Sequence, residues 1–313
     1  MNNFEARVKF GFSPSMLFDA FTDPKKLFAA IENACHYPFY ESFETYLPDD
    51  KTDRQYLIRL MKENEKTLHY NTLVDFQLAG DCYPMSDDPK VRAHALEEAK
   101  KHLNYAAEAE SPLYVCTGSA DQGEEKRPEL NKRYEEFFLQ ICDYARQFNI
   151  DIALEPIERH RFKKNHLGPT NECADFIEKM RAQGAGNAYL MLDTAHLPLM
   201  EESIDFALDA SRKVGLRLVH MGEAVLIPGH RFYGHTHPPI GVQSGLFDFD
   251  VQVEHFKKFF EFGYIPKEAG QERARMSLEV KAYPGCSEYT SIMLMYEKMK
   301  NACDKAAHEL GIY

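Results

Sequence analysis

IDIALEP (150–156), AYLMLDTAH (188–196), LRLVHMGE (216–223) and MSLEV (276–280) share one pattern: a short apolar run that closes on an acidic side chain or an imidazole. The closing residues are Glu155, Asp193, His220 and Glu279. A strand covered on both faces reads as a near-continuous apolar run, and in a parallel barrel the C-terminal strand ends carry the chemistry. The four runs therefore point to barrel strands whose ends meet at a metal ion. The competing reading, acidic strand ends that cap neighbouring helices or pair with lysines, leaves their recurrence at the same place in four strands unexplained.

Outward from these segments, strand-like and helix-like stretches alternate. ARVKFGFS (6–13), FYESFETYL (39–47), LHYNTLVDFQL (68–78) and PLYVCTGS (112–119) read as the earlier strands, and the last strand extends as MSLEVKAY (276–283). Between them lie amphipathic segments such as the one from Tyr134 to Phe148, where apolar residues recur at three- and four-residue intervals. Asp88 before Pro89 and Thr170 before Asn171 read as helix starts, and Gly184, Gly215 and Gly263 as helix ends. Eight strand–helix units favour a single closed (β/α)8 TIM barrel of class α/β spanning 1–313. No glycine-rich phosphate loop follows any strand, so an open nucleotide-binding sheet loses its usual support.

Composition narrows the partners. With 44% hydrophobic and 27% charged residues the 313-residue chain reads as globular, and no apolar stretch approaches membrane-spanning length. A net charge of −12 argues against nucleic acid, whose phosphates ask for a basic face. The seven cysteines are odd in number and never form a CxxC, which suits reduced thiols. MNNFEARVKF (1–10) has no signal-peptide apolar segment, so the expected location is the cytoplasm.

Two long loops follow ligand-bearing strands: 159–169, RHRFKKNHLGP, and 223–248, EAVLIPGHRFYGHTHPPIGVQSGLFD. Loops this long in a compact domain tend to be lids or binding loops. They hold His160, His166, His230, His235 and His237, five of the thirteen histidines, which marks where a substrate enters.

Three carboxylates and one imidazole, without thiolate, suit a hard to borderline divalent ion: Mn²⁺ first, with Mg²⁺, Co²⁺ or Zn²⁺ compatible. An ion that grips a carbonyl and an adjacent hydroxyl eases loss of the proton beside that carbonyl, and a carboxylate next to it can take the proton. The implied reaction class is enolisation of a sugar.

The order Glu155 in LEP, Asp193 and His196 in DTAH, His220 in VHMGE and Glu279 in LEV resembles the xylose isomerase-like barrel superfamily, over about the whole chain. That superfamily includes ketose 3-epimerases, hydroxypyruvate isomerases and inosose dehydratases. The resemblance implies that Glu155, Asp193, His220 and Glu279 bind the metal, that Glu155 and Glu279 act as acid and base, and that His196 touches substrate. The ketose 3-epimerases carry a glutamate six residues after the first ligand and an arginine six after the metal histidine; here those places hold Arg161 and Leu226. PGHRFYGHTHPPIGVQSG (228–245) and LEVKAYPG (278–285) instead resemble the large subunit of bacterial C-glycoside deglycosidases. This implies elimination of a polyphenol from a 3-oxo-glucoside, and a small second subunit, a homo-oligomer, or both. The alternatives are a ketose 3-epimerase or sugar isomerase, and a non-catalytic metal-bearing scaffold subunit.

Within this reading His160 is the expected third catalytic residue, because an imidazole titrates near neutrality and suits acid–base work on a phenol leaving group. His196, His235, His237, Lys281 and Arg161 are the expected substrate contacts. His196 can equally orient a metal ligand. Lys281, two residues past Glu279, can equally anchor that carboxylate in an ion pair. Phe10, Phe12, Tyr37, Phe39 and Tyr40 read as core and rim.

Overall fold

The computed structural model describes residues 3–20, 23–72 and 82–312. Strands β1 (Val8–Phe12), β2 (Ser42–Thr45), β3 (Thr67–Asn71), β4 (Leu113–Thr117), β5 (Asp151–Glu155), β6 (Ala188–Asp193), β7 (Leu216–Met221) and β8 (Ala274–Leu278) close into a barrel in sequence order. Every neighbouring pair is parallel, and β8 closes the ring by pairing Val8 with Ala274 through Phe12 with Leu278. The expected closed eight-stranded barrel is what forms. The tail of the expected third strand, 73–78, lies outside the described residues.

The strands alternate between two environments. Ile152 and Leu154 of β5 and Leu190 and Leu192 of β6 face outward and join the core shared with the helices. Leu113, Val115, Ala153, Met191 and Leu218 form a separate apolar cluster inside the barrel. One step further along the inward face, the side chains turn polar. That change separates a packed floor from a reactive mouth.

The helices supply the outer layer: α1 (Asn3–Arg7), α2 (Pro14–Leu17), α3 (Pro24–Cys35), α4 (Lys51–Glu63), α5 (Pro89–Glu108), α6 (Arg127–Arg146), α7 (Thr170–Ala182), α8 (Leu197–Met200), α9 (Ile204–Ser211), α10 (Phe249–Phe262) and α11 (Glu288–Glu309). Asp23, Asp50, Asp88 and Asp248 cap α3, α4, α5 and α10 by accepting from backbone N–H groups two or three residues on. Gly263 ends α10 at φ 85°, a left-handed conformation that costs a side-chain-bearing residue. Thr170 departs from expectation. It is the first residue of α7, and its N–H and hydroxyl both donate to Glu202, at 3.0 and 2.6 Å. The cap there comes from a distant carboxylate, which local sequence does not announce. Among the aromatic residues in and just before the first two strands, Phe10, Phe12 and Tyr40 are buried in the core, and Phe39 is at the surface. Among the described residues no helix is long and apolar enough to cross a membrane.

β8 starts two residues before the expected Met276 and stops at Leu278. Arg275 interrupts the apolar run, but its guanidinium reaches Glu272 at 3.2 Å, so the strand tolerates it. Past Leu278 the chain leaves the sheet, and the Lys281 N–H donates to the His237 carbonyl at 2.8 Å. Strand alternation therefore does not carry from Glu279 to Lys281.

Three buried imidazoles make the fold acid-sensitive. Burial pushes His69 down to about 3, and His166 and His255 to about 4. The folded state keeps these rings neutral, whereas the unfolded chain protonates them near 6.5. Stability is thus unaffected by these groups above about pH 6.5 and falls as pH drops from there toward about 4, by about 1.4 kcal/mol per pH unit for each group. His255, which packs against Phe247 at 5.1 Å between ring centroids, isolates the effect. Denaturant unfolding of His255→Phe should fall less steeply across that window than that of the wild type; identical slopes would contradict this.

Candidate metal centre

Glu155 and Asp193 are the last residues of β5 and β6, His220 is the penultimate residue of β7, and Glu279 follows β8 directly. Barrel closure brings their ligand atoms within 4.8 Å of one another, and all four side chains are buried. His220 Nδ1 lies 2.7 Å from Glu279 Oε2, 3.7 Å from Glu155 Oε1 and 3.8 Å from Asp193 Oδ2. Donors bonded at about 2.1 Å to one octahedral ion stand about 3.0 Å apart when adjacent and about 4.2 Å apart when opposite. The spacings to Glu155 and Asp193, 3.7 and 3.8 Å, fall inside that interval, and the 2.7 Å spacing to Glu279 lies just short of it. Glu155 Oε1 and Oε2, Asp193 Oδ2 and His220 Nδ1 are buried without a hydrogen-bond partner. Buried polar atoms are normally satisfied, and four orphans facing one point are the signature of a cluster that could hold a cation. The donor set fits the implied divalent ion.

Local chemistry aims the ligands. Asp193 Oδ1 accepts from the Ala195 N–H at 2.7 Å, which leaves Oδ2 for the centre. Gly222 permits this approach: a Cβ there would stand 2.5 Å from Asp193 Oδ1 and 2.7 Å from the Ala195 Cβ. His220 is aimed by a residue that sequence reading missed. Its Nε2–H donates to Glu44 Oε1 at 2.6 Å, and the same oxygen accepts from Asn71 Nδ2 at 2.8 Å. A carboxylate behind a histidine fixes the tautomer, so Nδ1 is free to bind a metal and is made more basic.

The electrostatics separate the two glutamates. Burial is the largest influence on Glu155 and raises its carboxyl to about 7, against the opposing pull of His196. Burial also pushes Glu279 up, but the imidazoles of His237, His220 and His196 outweigh it and hold Glu279 well below the usual carboxylate range. Asp193 is held low in the same way, mainly by His196. Burial opposes the charged form of His220, yet the carboxylates of Glu44 and Glu279 raise its pKa well above the ordinary value. Two carboxyl groups pushed apart in proton affinity are what acid–base chemistry requires.

Beside this cluster lies a second group. His196 Nε2 is 3.3 Å from Glu155 Oε1 and its Nδ1 is 3.5 Å from Glu158 Oε2. His235 and His237 arrive from the 223–248 loop and pack on His196, with ring centroids 4.5 and 5.4 Å away. Glu158, which sequence reading also missed, is buried and held well below the usual carboxylate range, because His196 and His235 outweigh its burial.

The structure thus gathers His196, His235 and His237 with the four strand-end residues. It does not bring the other candidates to them. His160 and Arg161 are exposed, and Arg161 pairs with Glu201. Lys281 is half-buried and forms no ion pair among the described residues, so it does not anchor Glu279. In the 159–169 loop it is Phe162 that reaches across, meeting Tyr233 edge-on at 5.4 Å.

Glu223 holds the second loop in place. Its buried carboxylate accepts from the N–H groups of Ala224, Gly241, Leu246 and Phe247 at 2.8–3.0 Å. Glu223→Ala should strand several of these donors and destabilise the loop by about 3 kcal/mol. Limited proteolysis should then cut within 223–248 while α10 stays protected; unchanged cleavage would refute the anchoring role.

Comparison with curated protein sequences finds no match. Among solved structures the chain is similar to a D-psicose 3-epimerase from Clostridium cellulolyticum H10 at 18% identity and TM-score 0.64, covering 96% of this chain and 98% of that one. A D-tagatose 3-epimerase-like protein superposes at 17% identity and TM-score 0.70, covering 96% of this chain and 100% of its own. A 3-keto-D-glucoside 4-epimerase from E. coli superposes at 14% identity and TM-score 0.64, covering 93% and 100%. At these identities the likeness is one of fold. The model of the xylose isomerase-like TIM barrel family matches residues 28–264, and the chain belongs to that family.

Proposed function

We propose that the protein is a divalent-metal-dependent carbohydrate enzyme that removes a proton beside the carbonyl of a keto sugar and returns it, as an epimerase or isomerase. The observation that carries this reading is the placement of Glu155, at the end of β5, and Glu279, just after β8, within one buried cluster, with His220 between them. One carboxylate takes the proton from the carbon beside the carbonyl, and the other delivers one to the opposite face. Asp193, His220, Glu155 and Glu279 would hold the ion, for which Mn²⁺ suits three carboxylates and one imidazole. A bound divalent ion would polarise the carbonyl and stabilise the enolate oxygen. His196 would contact the substrate from beside Glu155, and Phe162 and Tyr233 would narrow the entrance. The epimerase names among the similar structures support the same substrate class.

A second reading keeps the proton abstraction and changes its outcome. Arg161 and Leu226 stand where ketose 3-epimerases carry a glutamate and an arginine, and Arg161 is engaged with Glu201 at the surface. That favours a 3-oxo-glucoside whose carbon–carbon bond to a polyphenol breaks by elimination after enolisation, with a small second subunit as partner.

Proton NMR in D₂O tests both. Purified protein with Mn²⁺ should exchange the proton beside the carbonyl of D-tagatose, D-psicose or a 3-keto-glucoside, and Glu155→Gln should slow this about 10²–10⁴-fold. Aglycone release from a 3-oxo-C-glucoside, without exchange of free ketoses, would select the second reading. Absence of both reactions, or exchange that persists in Glu155→Gln, would sink the proposal.

A further inference from the structure

Inside the barrel, the layer beneath the carboxylate centre is apolar on one side only. Leu113, Val115, Ala153, Met191 and Leu218 line the part built by β4 to β7. On the other strands Phe10, Phe12, Phe43, Leu68, Met276 and Leu278 belong to the outer core, so strand alternation turns Gly11, Ser42, His69 and Ser277 inward. These residues are neighbours in register. Gly11 stands beside Ser42 of β2 and Ser277 of β8, Ser277 stands beside His220, and His69 stands beside Glu44.

Each of the four polar residues carries an unanswered atom. Ser42 Oγ, Ser277 Oγ, His69 Nδ1 and Glu44 Oε2 are buried, and none meets a hydrogen-bonding group among the described residues. A Cβ on Gly11 would stand 2.2 Å from Ser42 Oγ, so the hydroxyl leans over the bare Cα of the strand that flanks Ser277 on its other side. Glu44 is the most demanding member. Its Oε1 accepts from His220 and Asn71, whereas a buried carboxylate oxygen left without a donor is costly. Water donates and accepts at once, so it can serve the carboxylate, the hydroxyls and either tautomer of the ring.

We infer that this half of the barrel interior is an internal water site, held by Ser42, His69 and Ser277, and that one of its waters donates to Glu44 Oε2. Glu44 is then held at both oxygens, by His220 and Asn71 on one side and by water on the other. The site acts as a positioning element: it fixes the carboxylate that fixes the imidazole of His220. The apolar half of the same layer stays dry, because Leu, Val, Ala and Met offer water no partner. The inference does not rest on the proposed reaction, since the water is read in protein free of ion and substrate.

A high-resolution crystal structure of the full-length protein should show ordered water within hydrogen-bond distance of Glu44 Oε2 and of at least one of Ser42 Oγ and Ser277 Oγ. In solution, magnetic relaxation dispersion of the water nuclei counts long-lived internal waters. The double variant Ser42→Ala/Ser277→Ala, with folding checked by circular dichroism, should lose at least one of them. Its Mn²⁺ affinity, titrated by electron paramagnetic resonance, should fall about 2–10-fold, the effect of one weakened hydrogen bond behind the centre. If the double variant does not fold, the wild-type density decides alone. A wild type with no water at these atoms, or a folded double variant that keeps every long-lived water, would overturn the site. Water lost with Mn²⁺ affinity unchanged would overturn its role behind Glu44. A wild type that binds no Mn²⁺ would contradict the proposed function instead, and the density would still decide the water.

Discussion

Asp193→Ala is expected to release the ion of the carboxylate centre and to reduce proton exchange on a keto sugar by at least about three orders of magnitude, the scale on which Lewis-acid and general-base assistance act together. The Ala195 N–H holds Asp193 Oδ1 and thereby turns Oδ2 to the centre, so alanine removes one of the four ligands. The barrel should survive. The direct cost is the unpaired Ala195 N–H, about 2 kcal/mol, and the floor of Leu113, Val115, Ala153, Met191 and Leu218 is untouched. Metal content by elemental analysis, exchange by NMR and unfolding by circular dichroism separate these effects. Exchange that continues in a metal-stripped, folded Asp193→Ala would end the metal-dependent reading.

Glu44→Ala should weaken Mn²⁺ binding about 10–100-fold without touching a ligand. The mutation removes the one Glu44 oxygen that accepts from both His220 Nε2 and Asn71 Nδ2. The imidazole then loses the group that fixes its tautomer, and Nδ1 is no longer reserved for the ion. Glu44→Gln keeps an acceptor for His220 but loses the charge, so its affinity should fall between wild type and alanine. Titration of Mn²⁺ by electron paramagnetic resonance measures both variants. Equal affinities in all three proteins would assign Glu44 to folding alone.

Glu44 also marks how far sequence reading reaches. It lies in FYESFETYL three residues after Glu41, and nothing local separates the two. Glu41 ends in a surface ion pair with Arg273, at 2.6 Å, while Glu44 is 1% exposed and meets His220, 176 residues away in sequence. Glu158 shows the same limit. From the loop that follows Glu155, the sequence reading picked out His160 and Arg161, whereas the folded loop turns both outward and directs Glu158 inward to His196 and His235. A loop has no periodicity, so the direction of each side chain depends on what packs against it.

The strand-end residues were legible for the opposite reason. A parallel barrel strand has a period of two and a defined end, so an apolar run that closes on Glu155, Asp193, His220 or Glu279 states its inward face and its height in the barrel. These four runs, with four further strand-like stretches and the amphipathic helices that alternate with them, suffice to determine the closed fold and the existence of a polar cluster at its mouth. Only the tertiary structure decided what surrounds that cluster: the Glu44 buttress, the Glu158 hub, and the packing of His235 and His237 onto His196. These contacts join residues far apart in sequence, and their energies come from burial and charge at sites that exist only once the ring has closed.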